Sequence, residues 1–219
     1  MSARSRDAAR AFEPDYPEVG ERLRAHRRAK GLSLRTLAER LGVSPSLISQ
    51  IERGRARPSV STLFAIVTEL DVSLDELLFN DERPPASPGA SGPDGRPSPV
   101  QEAGTRHHIR LASGVVWERL TTASQQGVEF LFVVYDVGGS SSPGDTYQNH
   151  SGYEWGYVIS GVLEVIIGFD RYVLQPGDAV SLDSSMPHRL ANVGDTPVHA
   201  IWFVLGRDAD PRLIGQRAP

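Results

Sequence analysis

The sequence predicts two domains of different class, an all-α bundle over about residues 17–80 and an all-β domain over about residues 105–207. Before residue 80, apolar residues recur three or four positions apart, which is the spacing of one helix face. After residue 105 they form short runs separated by turn residues, as in an antiparallel sandwich or barrel. A Pro-, Gly- and Ser-rich stretch without either periodicity separates them and predicts a flexible linker over 81–104.

The composition excludes several kinds of site. The 219-residue chain has no cysteine, which rules out disulfides, thiolate metal sites and cysteine nucleophiles. No apolar run reaches the roughly 18 residues of a membrane span, and no early apolar segment marks a signal peptide. We therefore expect a cytoplasmic protein with no membrane partner, a disordered N-terminal tail over 1–16 and a C-terminal tail over 208–219.

Turn and capping residues divide the first domain into five short helices. Gly31 can end a first helix at about residues 18–30, and Gly42 permits a tight turn after the second. Pro45 suits the first position of a third helix. Serines that can act as N-caps precede the second to fifth helices, the last of them within a capping box: Ser33, Ser44, Ser59 and Ser73.

Charge is distributed unevenly along the chain. Residues 20–60 hold ten basic and three acidic side chains, a net charge of +7, although the whole chain carries -4. Residues 100–219 hold eight basic and thirteen acidic side chains, a net charge of -5. A locally basic module on an acidic body favours a polyanionic partner for the first domain.

The run LRTLAERLGVSPSLISQIERG, residues 34–54, has the pattern of a helix, a tight turn and a second amphipathic helix. The stretch from about 19 to 79 resembles the Xre-type helix-turn-helix of phage repressors. The resemblance implies sequence-specific binding to double-stranded DNA, as a homodimer on half-sites one helical turn apart. It also implies a structural ion pair between Arg27 and Glu52.

The resemblance assigns the DNA contacts to the outer face of the third helix and to polar residues around it. Ser46 and Gln50 would read base edges in the major groove, where glutamine can pair bidentately with adenine. Other side chains would contact phosphates, which fix the register and supply most of the affinity. These are Ser33, Arg24, Arg53, Arg55 and Arg57, and the remaining outward positions of the third helix are Ser44, Pro45 and Ser49.

A second motif, HSGYEWGYVISG, begins at His150 in the all-β domain. Side chains alternate along a strand, so His150 and Glu154 fall on the same face. The pattern His150-x3-Glu154-x6-Gly161 resembles the second half of the first cupin motif, and His188-x3-Asn192 resembles the end of the second. The resemblance implies a cupin barrel, a double-stranded β-helix or jelly roll. Nearly the whole chain resembles the Xre–cupin family of bacterial transcriptional regulators, in which the barrel senses a small-molecule effector.

A cupin metal site usually takes three histidines and one glutamate. By resemblance His150, Glu154 and His188 fill three of these places, and Gln148, a weaker ligand, stands in the fourth. Three interpretations stay open: a divalent metal (Zn, Fe, Ni or Mn) held by the triad, a metal-free pocket in which these side chains bind the effector or one another, or a mononuclear non-haem iron enzyme. The last would resemble hydroxypropylphosphonic acid epoxidase, which has a helix-turn-helix–cupin architecture and the same His-x3-Glu spacing.

The effector pocket is expected to be lined by this triad together with Tyr157 and Trp202, two aromatic residues on predicted strands. Because the DNA-reading sequence is intact, the chain is interpreted as a regulator rather than an enzyme, and no catalytic residue is assigned. Its expected partners are a DNA operator, a small-molecule effector and a second copy of the chain.

Overall fold

A computed structural model describes residues 16–78, 99–122 and 127–206. The predicted C-terminal tail, nearly all of the predicted N-terminal tail and most of the predicted linker lie outside these residues. In the described part of the chain, no helix is both long enough and apolar enough to span a membrane.

The N-terminal domain is a bundle of short helices that begin where the capping serines predict. The hydroxyls of Ser33, Ser44, Ser59 and Ser73 each accept a hydrogen bond from the backbone N–H three residues later. This satisfies one of the N–H groups that a helix start leaves unpaired. The helices are α1 (Tyr16–Ala29), α2 (Leu34–Arg40), α3 (Pro45–Glu52), α4 (Val60–Leu70) and α5 (Leu74–Leu78).

Helices α1 and α3 are held together by close packing and by a buried ion pair. A Cβ at Gly20 would lie only 2.5 Å from the carbonyl oxygen of Ile51, so this contact between the helices requires glycine. The guanidinium of Arg27 donates two hydrogen bonds to the Glu52 carboxylate, at 2.5 and 3.0 Å, and a third to the Leu32 carbonyl at 2.7 Å. The ion pair holds the C-terminal end of α3 against α1.

Two antiparallel sheets form the C-terminal domain in the described residues. One has the strand order β1-β2-β3-β9-β4-β7 and the other β6-β5-β8. The short apolar runs of the sequence predict eight strands, at 115–120, 128–137, 155–160, 162–168, 171–174, 178–182, 188–193 and 197–205. The structure has a strand within two residues of each of these bounds, and a further strand, β1, whose four residues were not predicted. The strands are β1 (His108–Leu111), β2 (Val115–Arg119), β3 (Val128–Tyr135), β4 (Tyr153–Ser160), β5 (Leu163–Ile167), β6 (Asp170–Leu174), β7 (Ala179–Asp183), β8 (His188–Asn192) and β9 (Val198–Leu205).

Large side chains fill the space between the sheets. Trp202 on β9 lies opposite Gly156 on β4. A Cβ at Gly156 would lie 1.9 Å from Cζ3 of the Trp202 ring, so the ring occupies the space that any larger residue would need. The buried apolar side chains of both domains form one contiguous cluster. The helical bundle is therefore packed against the barrel.

Helix α4 and the segment just before it contact the C-terminal domain. At its start, the N–H of Ser61 donates to the carbonyl of Ser141 at 3.1 Å. Ser141 in turn exchanges hydrogen bonds with Leu190 on β8, donating its N–H to the Leu190 carbonyl and accepting from the Leu190 N–H through its hydroxyl. Just before α4, the Pro58 carbonyl accepts from Ala112 at 2.9 Å.

Candidate functional site

The three predicted ligands meet inside the barrel. His150 precedes β4, Glu154 lies on β4 and His188 begins β8, so the two sheets both contribute. All three side chains are buried, and their ligand atoms lie within 4.8 Å of one another. Oε1 of Glu154 is 2.9 Å from Nε2 of His150 and 3.2 Å from Nε2 of His188. Inside the barrel, two imidazoles therefore face the same carboxylate oxygen.

Gln148 lies in the fourth position, next to His188. Its backbone pairs with that of His188 through two hydrogen bonds of 2.9 and 2.8 Å, and its Nε2 is 3.0 Å from His188 Nε2. Its Oε1 is buried and has no hydrogen-bond partner among the described residues. Nε2 of His150 also lacks one, because its close approach to Glu154 is off the hydrogen-bond direction. A donor set with buried lone pairs left unpaired fits a divalent cation.

A second layer of side chains orients the ligands. The hydroxyl of Ser184 donates to Oε1 of Glu154 at 3.0 Å, and the indole Nε1 of Trp202 donates to Oε2 at 2.5 Å. Nδ1 of His188 lies 2.9 Å from the Met186 carbonyl, which requires a proton on Nδ1 and turns Nε2 toward Glu154. Such partners fix the tautomer and direction of a ligand.

The electrostatics favour a charged carboxylate at the centre of the site. Burial alone would raise the pKa of Glu154, but the two imidazoles that face it, those of His150 and His188, hold that pKa well below its ordinary range. Burial alone would lower the pKa of His188, but the Glu154 carboxylate and the Met186 carbonyl raise it. Burial, with the charge of Glu154, raises the pKa of the Tyr135 phenol, which therefore stays neutral.

Helix α4 of the N-terminal domain closes the mouth of the barrel. The Phe64 ring stacks on the His150 ring, with centroids 3.9 Å apart and planes 8° apart, and meets Trp117 edge-on at 5.9 Å. Phe64 and Val60 line the cavity that remains beside Glu154. That cavity has room for about one water molecule, roughly 10 Å³.

Sequence reasoning missed Phe64 as part of this site. The helical spacing of α4 assigns its apolar residues to the bundle core, and nothing in the sequence shows that α4 also meets a second domain. The only feature of the sequence that could have indicated this role is that Phe64 is aromatic, whereas the other core positions of α4 are aliphatic.

A larger cleft lies outside Phe64, between the helical domain and the barrel. Its volume is about 330 Å³, and it leads from the surface to His150. Both domains line it, with residues that include Phe64, Val67, Val72, Glu129, His150 and Val204. A small molecule in this cleft would touch the DNA-reading domain and the candidate ligand His150 together.

The two aromatic residues expected in the pocket lie on opposite sides of the barrel wall. Trp202 is inside, hydrogen-bonded to Glu154. Tyr157 points outward and is 48% exposed, so the expectation that it lines the pocket is corrected. The physical reason is strand alternation: Glu154, Gly156 and Val158 are the inward positions of β4, and Tyr157 lies at an odd spacing from them.

The predicted DNA-reading residues lie on the surface of the helical domain. Ser46 and Gln50 are exposed one turn apart on α3, with Nε2 of Gln50 3.4 Å from Oγ of Ser46. Ser33 and Ser44 are also exposed, and their hydroxyl oxygens cap α2 and α3. Ser49 is half-buried, and the other predicted contacts are exposed: Arg24, Pro45, Arg53, Arg55 and Arg57.

Comparison with known families matches each domain separately. The helix-turn-helix family matches residues 23–77, and the cupin domain family matches residues 131–204. The HTH-type transcriptional regulator PuuR of Escherichia coli is 27% identical over 175 residues, which cover 79% of this chain and 86% of that protein.

Two solved structures are also similar. An HTH_3 family transcriptional regulator from Vibrio cholerae has a TM-score of 0.60 at 23% identity, covering 87% of this chain and 96% of that one, and it supports the fold. The match to hydroxypropylphosphonic acid epoxidase from S. wedmorenis, at 20% identity, covers 89% of this chain and 100% of that one. Its TM-score of 0.41 is too low to indicate a shared function.

Proposed function

We propose that this chain, a helix-turn-helix protein with a C-terminal cupin domain, is a DNA-binding transcriptional regulator of the Xre–cupin family whose barrel senses a small molecule. The observation that carries the sensing role is the contact of α4 with the barrel. Phe64 of the DNA-reading domain stacks on His150, which belongs to the candidate ligand set. A change at the ligand set therefore acts directly on the DNA-reading domain.

In this proposal DNA is read by α3. Ser46 and Gln50 contact base edges in the major groove, and Gln50 supplies the bidentate pairing that gives sequence preference. The arginines around α3 contact phosphates and supply affinity that depends on salt. The net charge of +7 over residues 20–60 supports this polyanion-binding role.

A divalent metal is the first occupant that the site supports. His150, Glu154 and His188 would hold it, with the unpaired Oε1 of Gln148 as fourth donor. When bound, such an ion supplies a Lewis-acid position that can hold a polar group of an effector. Ser184 and Trp202 keep the carboxylate oriented toward the two imidazoles.

The effector competes with α4 for space. The barrel interior has room for about one water while Phe64 is in place, so a larger molecule enters only if Phe64 moves. The outer cleft of about 330 Å³ is the route to that position. An effector that displaces Phe64 loosens α4 from the barrel and changes the placement of the DNA-reading domain, so operator and effector affect each other's affinity reciprocally.

A mononuclear iron enzyme is the second candidate function. The donor set of two histidines and one carboxylate favours it, since this set can leave open positions on iron. The helical domain favours the regulator, because its third helix presents exposed Ser46 and Gln50 with exposed arginines nearby, as a DNA-reading surface requires. We therefore propose a regulator that carries out no reaction of its own.

The experiment that tests DNA reading compares two variants on duplexes selected in vitro by the full-length protein. Gln50→Ala should reduce the difference in affinity between selected and scrambled duplexes, because it removes the bidentate base contact while phosphate contacts remain. Arg55→Ala should weaken binding to both duplexes alike and reduce the slope of log K against log salt by about one. Fluorescence anisotropy at several salt concentrations measures both effects. If both variants lose the same affinity on every duplex, Gln50 does not read bases.

A further inference from the structure

The outer face of the six-stranded sheet is apolar where a solvated sheet would be polar. An antiparallel sheet with one face in water normally alternates apolar inward and polar outward residues. On β4 every outward position from Tyr153 to Ile159 is aromatic or aliphatic: Tyr153, Trp155, Tyr157 and Ile159. Buried and exposed residues thus alternate along β4, but the exposed residues are not polar. They form a hydrophobic stripe on the outer surface of the sheet.

Neighbouring strands extend this stripe into a continuous patch. Strand pairing places Phe203 of β9 beside Trp155, and Phe130 of β3 on the other side of Phe203. The ring centroids of Trp155 and Phe203 are 5.7 Å apart, and those of Phe130 and Phe203 are 6.3 Å apart. The next row across the sheet aligns Phe132, Ile201 and Tyr157. We call these residues, with Tyr153 and Ile159, the aromatic face.

The three-stranded sheet of the same barrel provides the contrast. Its outer surface carries Glu164, which forms ion pairs with Arg171 at 3.0 Å and with Arg189 at 3.9 Å. Val173 is exposed beside Glu164 on that surface, and Tyr172 is exposed on the edge strand β6. Among the described residues of that sheet, charged side chains flank these two, and no row of adjoining aromatic rings forms. The difference between the two sheets indicates that the aromatic face is buried by a partner.

The size of the aromatic face fits the centre of a protein interface. Five of its side chains, Phe130, Tyr153, Trp155, Tyr157 and Ile159, are each between 36% and 48% exposed. With roughly 150–250 Å² per large side chain, they present on the order of 400 Å². This is about half of the ~800 Å² that each partner contributes to a stable interface, the share expected of an apolar centre within a polar rim.

We propose that the aromatic face is the surface on which a second copy of this chain docks, with Trp155 and Tyr157 at its centre. The choice of a second copy rests on the proposed function, because a helix-turn-helix reads two half-sites as a two-fold dimer. A two-fold axis through the face brings the same patch of each subunit together, which suits aromatic side chains that pack on their own kind. The interface lies on the barrel, which leaves α3 of both subunits free to face DNA.

The test measures the mass of the full-length protein by analytical ultracentrifugation. The wild type should sediment at twice the monomer mass of 23.9 kDa, whereas Trp155→Arg and Tyr157→Arg should sediment as monomers at about 10 µM. Tyr172→Arg is the matched control, because Tyr172 is equally exposed on β6 of the other sheet, and it should remain a dimer. Far-UV circular dichroism of each variant establishes that the monomers are folded.

Fluorescence supplies an independent measurement of the same face. Of the three tryptophans, Trp117 and Trp202 are buried, so quenching by iodide reports mainly on Trp155. Trp155 should be protected in the wild type and become quenchable as dilution dissociates the dimer. A wild-type monomer, with Trp155 either quenched or protected by another segment of the chain, would overturn the proposal, and so would a Trp155→Arg protein that remains dimeric. Absence of DNA binding by an intact dimer would refute the proposed function and leave this interface standing.

Discussion

Glu154 is the residue on which the candidate site converges. It faces both imidazoles and accepts hydrogen bonds from Ser184 and Trp202, so all of its neighbours are arranged for a carboxylate. Strand alternation placed His150 and Glu154 on one face, and the resemblance to the two cupin motifs added His188 to the candidate set. Trp202 was expected in the pocket, but its hydrogen bond to Glu154 was not predicted. The contacts of Ser184 and Met186 could not be predicted, because both residues lie in the turn between β7 and β8, whose course depends on the whole barrel.

Replacing Glu154 by glutamine should weaken binding of Co²⁺, used as a spectroscopic divalent probe, by at least about 100-fold. The substitution keeps the size of the side chain and removes the charge between the two histidines. Isothermal titration calorimetry and the visible Co²⁺ spectrum measure the loss. Glu164→Gln is the control, since Glu164 lies outside the barrel in an ion pair with Arg171, and it should bind Co²⁺ as the wild type does. Equal affinity of the wild type and Glu154→Gln would contradict this ligand set.

The buried ion pair of Arg27 and Glu52 gives a prediction about stability. Arg27→Met should lower the free energy of unfolding by about 3–5 kcal/mol, because it leaves the Glu52 carboxylate buried without its partner. The double variant Arg27→Met/Glu52→Leu should recover much of that loss. Urea unfolding of the full-length protein measures both. Arg40→Met is the control, because the Arg40–Glu69 pair is more exposed and should contribute about 0–1 kcal/mol.

At the scale of elements, caps and periodicity predicted the helices well because these signals are local. Ser33, Ser44, Ser59 and Ser73 begin α2 to α5 as expected. Strand β1 was not predicted, because four residues are too few to show an alternation. The period-two alternation that placed His150 with Glu154 also places Tyr157 on the outer face of β4. The expectation that Tyr157 lines the pocket was wrong because it relied on the residue type and not on its position along the strand.

The pairing of β4 with β9 predicts that one substitution changes both the stability of the barrel and the candidate site. Gly156→Ala should displace Trp202, because the new Cβ would lie 1.9 Å from its ring. The displacement should cost about 1–3 kcal/mol of stability and weaken the Trp202–Glu154 hydrogen bond. Urea unfolding and Co²⁺ titration measure the two effects. Gly104→Ala, where a Cβ meets nothing within 4 Å, is the control and should change neither.

At the scale of the whole molecule, the arrangement of the domains is the feature that the sequence did not reveal. Two motifs predicted a DNA-reading domain and a sensing barrel, separated by a linker, and left the route between them open. In the structure Phe64 reaches His150, and Ser61 contacts Ser141, which is bonded to β8 two residues beyond His188. Helix α4 therefore contacts His150 directly and is linked through Ser141 to β8, the strand that begins at His188. Such contacts between distant parts of the chain leave no periodic or local trace in a sequence.

The central claim, that the barrel and the DNA-reading domain are coupled through this contact, is tested most directly by His150→Ala. The substitution removes the stacking partner of Phe64 while every residue of the helical domain stays unchanged. The dissociation constant of the full-length protein for its selected duplex should change by several-fold, and that of the Tyr172→Ala control should not. Fluorescence anisotropy titrations at one fixed salt concentration make the comparison. A His150→Ala protein that is folded and binds the duplex with the wild-type dissociation constant would contradict the coupling.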